Sequence, residues 1–131
     1  PTQKTQTSLF TKHKLKFPLN TEEDISKFED VLKSEEEFNA ACDELARFGG
    51  SNIYNFIKRR LTALLSNEQA KNYSLKGRKG KKPFEKLLLA RLLVCAAEKS
   101  LNTTQKAVED AICSWLKRAP ERLQGYRKKF P

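Results

Sequence analysis

Phe84-Glu-Lys-Leu-Leu-Leu-Ala-Arg-Leu-Leu-Val-Cys-Ala-Ala-Glu-Lys99 decides the fold class. Leu87, Leu88, Leu89, Leu92, Leu93, Val94 and Cys95 cover most of a helical circumference, so a helix here leaves almost no face for water. The longest apolar run, Leu87 to Ala97, is about 11 residues and contains Arg91, short of the roughly 18 to 20 that a bilayer span requires. The stretch reads as the buried central helix of a bundle, over about 84–99, introduced by Pro83, whose fixed φ suits a first helical turn.

Helical signals surround it on both sides. Thr21-Glu-Glu-Asp24 approximates a capping box and starts a helix with Ile25, Phe28 and Leu32 on one face. Ser34-Glu-Glu-Glu37 opens a second, with Phe38, Cys42, Leu45 and Phe48 inward and Gly49-Gly50 closing it. After Ser51 or Asn52 a third helix spaces Ile53, Phe56, Ile57, Leu61, Leu64 and Leu65 along one stripe and leaves Lys58 and Arg59 outward. Ser66-Asn-Glu-Gln69 starts a short fourth. Beyond the central helix, Asn102-Thr-Thr-Gln105 caps a last long one carrying Val108, Ala111, Ile112, Trp115, Leu116 and Ala119, with Pro120 bending or restarting it. No stretch alternates with period two, and no segment repeats at a fixed period. The expectation is an all-α, compact bundle of five or six helices.

At 131 residues the chain has room for one domain. We expect a flexible basic and polar arm at 1–16, a single helical domain at 17–124 and a basic tail at 125–131. The sequence begins at Pro1 and contains no Met, which reads as a piece of a longer protein. Cys42, Cys95 and Cys113 are odd in number, lie far apart on apolar helical faces and form no CxxC pair, so reduced core thiols in an intracellular setting are expected.

Charge carries the functional information. Residues 1–66 hold ten basic and ten acidic side chains, whereas residues 67–131 hold sixteen basic and six acidic ones, so the whole net charge of +10 belongs to the second half. Within the first half, Glu22 to Glu44 sets ten carboxylates against Lys27 and Lys33 alone. The basic residues concentrate in Lys76-Gly-Arg-Lys-Gly-Lys-Lys82, where five cations occupy seven positions. Gly77 and Gly80 let the backbone take positive φ or approach a surface closely, and the cations can displace counterions from phosphates. Tyr73 and Phe84, at the ends of this loop, could stack on bases but read more readily as anchors to the core. Lys117, Arg118, Arg122, Arg127, Lys128 and Lys129 form a second basic cluster near the carboxyl terminus.

Catalytic constellations are poorly represented. The single histidine, His13, lies in the polar arm between Lys12 and Lys14, a poor place to build a nucleophile–base pair. One His and three scattered Cys do not supply a tetrahedral zinc set. Gly77-Arg-Lys-Gly80 lacks the order of a nucleotide-phosphate loop and follows no strand. The clustered carboxylates sit at helix starts, where capping explains them. No catalytic residue, metal, cofactor, membrane partner or small-molecule substrate is expected.

Phe17-Pro-Leu-Asn-Thr-Glu-Glu-Asp24, the Phe48-Gly-Gly50 turn, Gly77-Arg-Lys-Gly-Lys-Lys-Pro-Phe84 and Trp115-Leu-Lys-Arg-Ala-Pro-Glu-Arg122 together resemble an uncharacterised domain family abundant in arthropod proteins, over about residues 17–124. That resemblance implies a module placed at the carboxyl end of larger proteins, some of them carrying DNA-binding or transposon-derived parts, and no settled activity. Leu61 to Leu88, with Leu64-Leu65, Glu68, Ala70 and Leu75-Lys-Gly-Arg-Lys-Gly80, is similar to the core of BEN domains, which implies an α-helical DNA-binding or chromatin module. Residues 115–122 depart from the BEN pattern, so only the basic loop carries over, as a surface.

The expected function is a nuclear, non-enzymatic DNA-binding or chromatin-associated module. Lys76, Arg78, Lys79, Lys81, Lys82, Lys117, Arg118 and Arg122 would contact the phosphate backbone of duplex DNA, with Gly77 and Gly80 shaping the loop. The alternative is a protein-interaction domain in which the acidic 22–44 hairpin meets a basic surface on a second copy or on another protein of a chromatin, transcription or transposon-associated assembly.

Overall fold

Five helices open on the side-chain oxygens that short-range spacing supplies. Thr21 accepts from the Asp24 N–H at 3.0 Å, Ser34 from Glu37 at 3.3 Å, Asn52 from Asn55 at 2.8 Å, Ser66 from Gln69 at 3.2 Å and Thr104 from Ala107 at 3.2 Å. They start α1 (Glu22–Leu32), α2 (Glu35–Ala46), α3 (Ile53–Leu64), the four-residue α4 (Asn67–Ala70) and α6 (Gln105–Lys117). Thr104, not Asn102, is the cap of α6. The chain, a computed structural model, is described over residues 15–47 and 51–129, the last four by main chain alone. The arm to residue 14 with His13, the Phe48-Gly49-Gly50 turn and Phe130-Pro131 lie outside the described residues.

Two-residue strands β1 (Tyr73–Ser74) and β2 (Lys82–Pro83) follow α4, then a 3₁₀ turn (Phe84–Lys86), α5 (Leu88–Ser100), α6 and α7 (Ala119–Lys129). The architecture is all-α, a bundle of six helices of 11 to 13 residues with one short turn of helix between them. α5 is its axis. It packs against α1, α2, α3 and α6, with Leu89, Leu92, Leu93, Ala96 and Ala97 at most 1% exposed. Each leucine so buried contributes roughly 1.5–3 kcal/mol. Ahead of the helices, Leu19 is fully buried and joins the end of α3, donating to Leu64 at 2.7 Å and accepting from Ser66 at 3.0 Å.

The central helix begins later than its apolar run suggests. Residues 84–86 form the 3₁₀ turn and Leu87 is extended, so α5 starts at Leu88 rather than Phe84. The reason is a cap from another helix. No side chain next to the start of α5 caps it, and the Glu29 carboxylate of α1 accepts from the Leu88 and Leu89 N–H groups at 2.8 and 2.9 Å. A carboxylate there also suits the positive end of the helix dipole. At the other end of the bundle, α6 stops at Lys117, and α7 restarts at Ala119 with Pro120 in its first turn. Residues 125–129, read as tail, continue α7.

Burial raises the Glu29 pKa above the ordinary carboxylate value, outweighing the two main-chain hydrogen bonds that pull it down. The folded state thus holds this proton more tightly than the unfolded chain. The resulting stabilisation is fully present below the ordinary glutamate range and is lost as pH rises through the raised value. Urea midpoints measured from about pH 4 to 7 should show this acid-side gain in the native chain and its loss in Glu29→Gln. Equal pH profiles for the two would contradict it.

The three cysteines do not stay apart. Cys42 of α2 and Cys95 of α5 form a disulfide, with Cα atoms 6.1 Å apart and 53 residues between them in sequence, and Cys113 is free. The expectation of three reduced core thiols is corrected for two of them. The physical reason is that α2 and α5 are the most closely packed helix pair, and each turns its cysteine toward the other.

Candidate nucleic-acid interface

The basic loop is fastened at its base. Its base is held by the parallel pairing of Tyr73 with Lys82 and Ser74 with Pro83, by Lys82 N–H donating to Asn72 at 2.9 Å, and by Glu85 N–H donating to Leu75 at 3.1 Å. Tyr73 and Phe84 are buried and meet edge to face at 5.8 Å. They anchor the loop to the core, and burial raises the Tyr73 pKa further above its ordinary value. Within the loop, Arg78 N–H donates to Ser74 Oγ at 2.8 Å and Lys81 N–H to the Arg78 carbonyl at 3.1 Å. Gly77, Lys79 and Gly80 all have positive φ, at 79°, 58° and 74°. Glycine is required at 77 on two counts, since a Cβ there would also lie 3.1 Å from Pro83 Cβ and 3.2 Å from the Lys81 carbonyl.

The five loop cations divide into two groups. Lys76 pairs with Glu85 at 3.1 Å, and Lys82 pairs with Glu22 of α1 while lying 5.9 Å from the Tyr73 ring centroid. The hydrogen bond to Glu22 raises the Lys82 pKa. Both lysines tie the loop to the body. Arg78 and Lys79 are exposed and Lys81 is partly so, and none of the three has an acidic partner among the described residues.

The carboxyl-terminal cluster separates in the same way. Lys117 and Arg118 are exposed at the end of α6. Arg122 is half-buried: its guanidinium lies 3.9 Å from the Trp115 ring centroid, Nε donates to Asn67 Oδ1 at 2.7 Å and Nη1 to the Trp115 carbonyl at 2.9 Å. Burial lowers its pKa. Arg122 pins α7 to α6 and α4, which turns it away from the surface role expected of it. The side chains of Arg127, Lys128 and Lys129 lie outside the described residues.

Two residues important to the surface escape sequence reading. Arg60 is 8% exposed, bonds the Leu45 carbonyl at 3.3 Å and lies 5.1 Å from the Phe56 ring centroid. Its position four residues after Phe56 on the apolar stripe of α3 was the available signal. Glu29 had none, because its partners lie 59 and 60 residues away.

The acidic 22–44 hairpin is largely engaged within the chain. Glu22 holds Lys82, Glu29 caps α5, Asp43 pairs with Lys99, and Glu23 and Asp30 pair with Lys27 and Lys33. Beside the loop, an open groove of about 810 Å³ runs between α5 and α6 over Leu88, Val94 and Ile112, edged by Glu85, Arg91 and Glu109. No three His, Cys, Asp or Glu side chains cluster as a metal set among the described residues, and no helix there is long and apolar enough to cross a membrane.

Fold and surface thus define a small helical module that projects a stapled basic loop. A family model described as Domain of unknown function (DUF4806) matches residues 11–96, about two thirds of the sequence, and the chain belongs to that family. The matched span contains the whole basic loop and most of α5 and stops before α6 and α7, so the Trp115 to Arg122 stretch falls beyond it. Comparison with curated proteins and with solved structures yields no match to this chain.

Proposed function

We propose that the chain is a DNA-binding or chromatin-associated module that grips the phosphate backbone of duplex DNA through the loop at 76–82, without enzymatic activity of its own and acting in the nucleus. The observation that carries this reading is the uncompensated tip: among the described residues, Arg78, Lys79 and Lys81 stand without acidic partners on a loop whose other two lysines fasten it. Cations carried on a main chain that is already hydrogen-bonded require less ordering of the backbone on meeting a phosphate than cations on an unstructured segment. Lys117 and Arg118 would add to the contact, while Arg122 supports the helix that follows them. The resemblance of residues 61–88 to BEN domains, and the DNA-binding or transposon-derived parts carried by some larger proteins of the family that residues 17–124 resemble, agree with a nucleic-acid role. The competing reading, pairing of the acidic hairpin with a second copy, has less free charge to work with, since Glu22, Glu29 and Asp43 already have partners.

The test is a fluorescence-anisotropy titration of duplex DNA at about 50 and 200 mM salt, with light scattering of the free protein alongside. If Arg78, Lys79, Lys81, Lys117 and Arg118 each neutralise a phosphate, affinity should fall about 500-fold over that fourfold range of salt. Changing Arg78, Lys79 and Lys81 together to Glu should abolish binding without altering the mass in solution. Absent or salt-insensitive binding, or a change of oligomeric state in the variant, would refute the proposal.

A further inference from the structure

The loop tip offers more than side-chain charge. Three of the four residues from Gly77 to Gly80 have positive φ, including Lys79, a conformation that costs an L-residue roughly 1–2 kcal/mol. Backbone strain of this kind persists where its surroundings over-determine it and is concentrated at ligand sites. The N–H groups of Gly77, Lys79 and Gly80 donate to no protein acceptor among the described residues, whereas that of Lys81 bonds the Arg78 carbonyl and those of Arg78 and Lys82 bond Ser74 and Asn72 at the base of the loop. Main-chain N–H groups left unpaired in turn conformations can serve as anion sites, and phosphate is a characteristic guest of such sites.

We propose that the tip of this loop takes a single phosphate group on the main-chain N–H groups of Gly77, Lys79 and Gly80, with the Arg78, Lys79 and Lys81 side chains around it. This rests on the phosphate-binding reading above and deepens it: one phosphate of the DNA backbone is held by geometry, and the remaining contacts are electrostatic. The shape of the backbone, and not the sum of charge alone, then sets affinity. Lys76 and Lys82 act as positioning residues through Glu85 and Glu22.

Gly80 makes the two contributions separable. It is exposed, a Cβ built on it meets nothing within 4 Å, and only its φ of 74° resists substitution. Gly80→Ala should therefore leave the body folded, as read by circular dichroism, while biasing the tip away from its native φ. A D-alanine at the same position, introduced by semisynthesis, prefers positive φ by symmetry and should preserve it. Net charge is identical in all three proteins.

Affinity for duplex DNA at constant salt is expected to fall about tenfold in Gly80→Ala, the loss of hydrogen bonding to a charged group. The D-alanine protein should stay within about twofold of the native chain. In the native protein, inorganic phosphate should shift the amide cross-peaks of residues 77, 79 and 80, whereas chloride at equal ionic strength should not. Unmoved cross-peaks, or equal DNA affinity in the L- and D-alanine proteins, overturn the proposal, and salt-sensitive DNA binding in the same samples would leave the broader reading standing. Phosphate-induced shifts in a protein that binds no DNA would support the anion site and overturn the DNA reading.

Discussion

Trp115→Ala is expected to cost about 4–5 kcal/mol, a large share of the roughly 5–15 kcal/mol that holds a domain of this size together. Trp115 is 2% exposed on α6, and removing an indole from such a site forfeits its transfer energy and leaves a cavity, about 3–5 kcal/mol together. The guanidinium stacked at 3.9 Å would lose its ring, a further 0.5–2 kcal/mol by typical cation–π magnitudes of about that size. The indole Nε1 is itself buried without an acceptor among the described residues, so Trp115→Phe discards an unsatisfied donor, keeps an aromatic face for Arg122 and should cost under about 2 kcal/mol. Because Trp115 is the only tryptophan, the comparison has to be read by far-ultraviolet circular dichroism in urea rather than by fluorescence. A midpoint drop of roughly 2 M urea for Ala and less than half that for Phe is the expected pattern. Equal losses would mean that the ring's stacking and volume are not what fastens α7.

Most helix starts were legible because a cap is a local event, although the pattern at 102–105 set the cap of α6 at Asn102, two residues before the Thr104 that makes it. Thr21, Ser34, Asn52, Ser66 and Thr104 each accept a bond from three residues ahead, well within the reach of sequence pattern. The start of α5 was not, since its cap comes from Glu29 on another helix, and an apolar run alone sets no boundary. Composition located the basic loop and could not divide it. Lys76 and Lys82 look like Lys79 and Lys81 in sequence, and only the fold brings Glu85 and Glu22 to the first pair. Arg122 shows the same limit: it reads as surface charge, and it lies against the Trp115 ring and bonds Asn67, partners that only the packing of α7 on α6 and α4 brings to it. The surplus charge is therefore smaller at the candidate interface than the net charge suggests, and it is better placed.

Reducing the Cys42–Cys95 disulfide is expected to destabilise the native fold by about 4 kcal/mol, the loop-closure entropy for a cross-link 53 residues apart. The bond joins α2 to α5, so in the unfolded chain it restrains everything from the acidic hairpin to the middle of the central helix, including the basic loop. Folded, the same two helices pack against each other and bury Ala41 and Leu45 on one and Leu92 and Ala96 on the other, burial that does not depend on the sulfurs being joined. The effect should therefore fall on stability and leave the loop's geometry unchanged. A thiol titration should find one reactive group per unfolded, unreduced chain and three after reduction. Urea midpoints should differ by roughly 2 M between the oxidised and reduced native chain, and a Cys42→Ala, Cys95→Ala double variant should show no response to reductant. Disulfides rarely persist in the reducing nucleus, so the reduced midpoint is the one that bears on the proposed setting. DNA affinity that survives reduction would place recognition in the loop alone, whereas affinity lost with the bond would tie it to the clasp between α2 and α5.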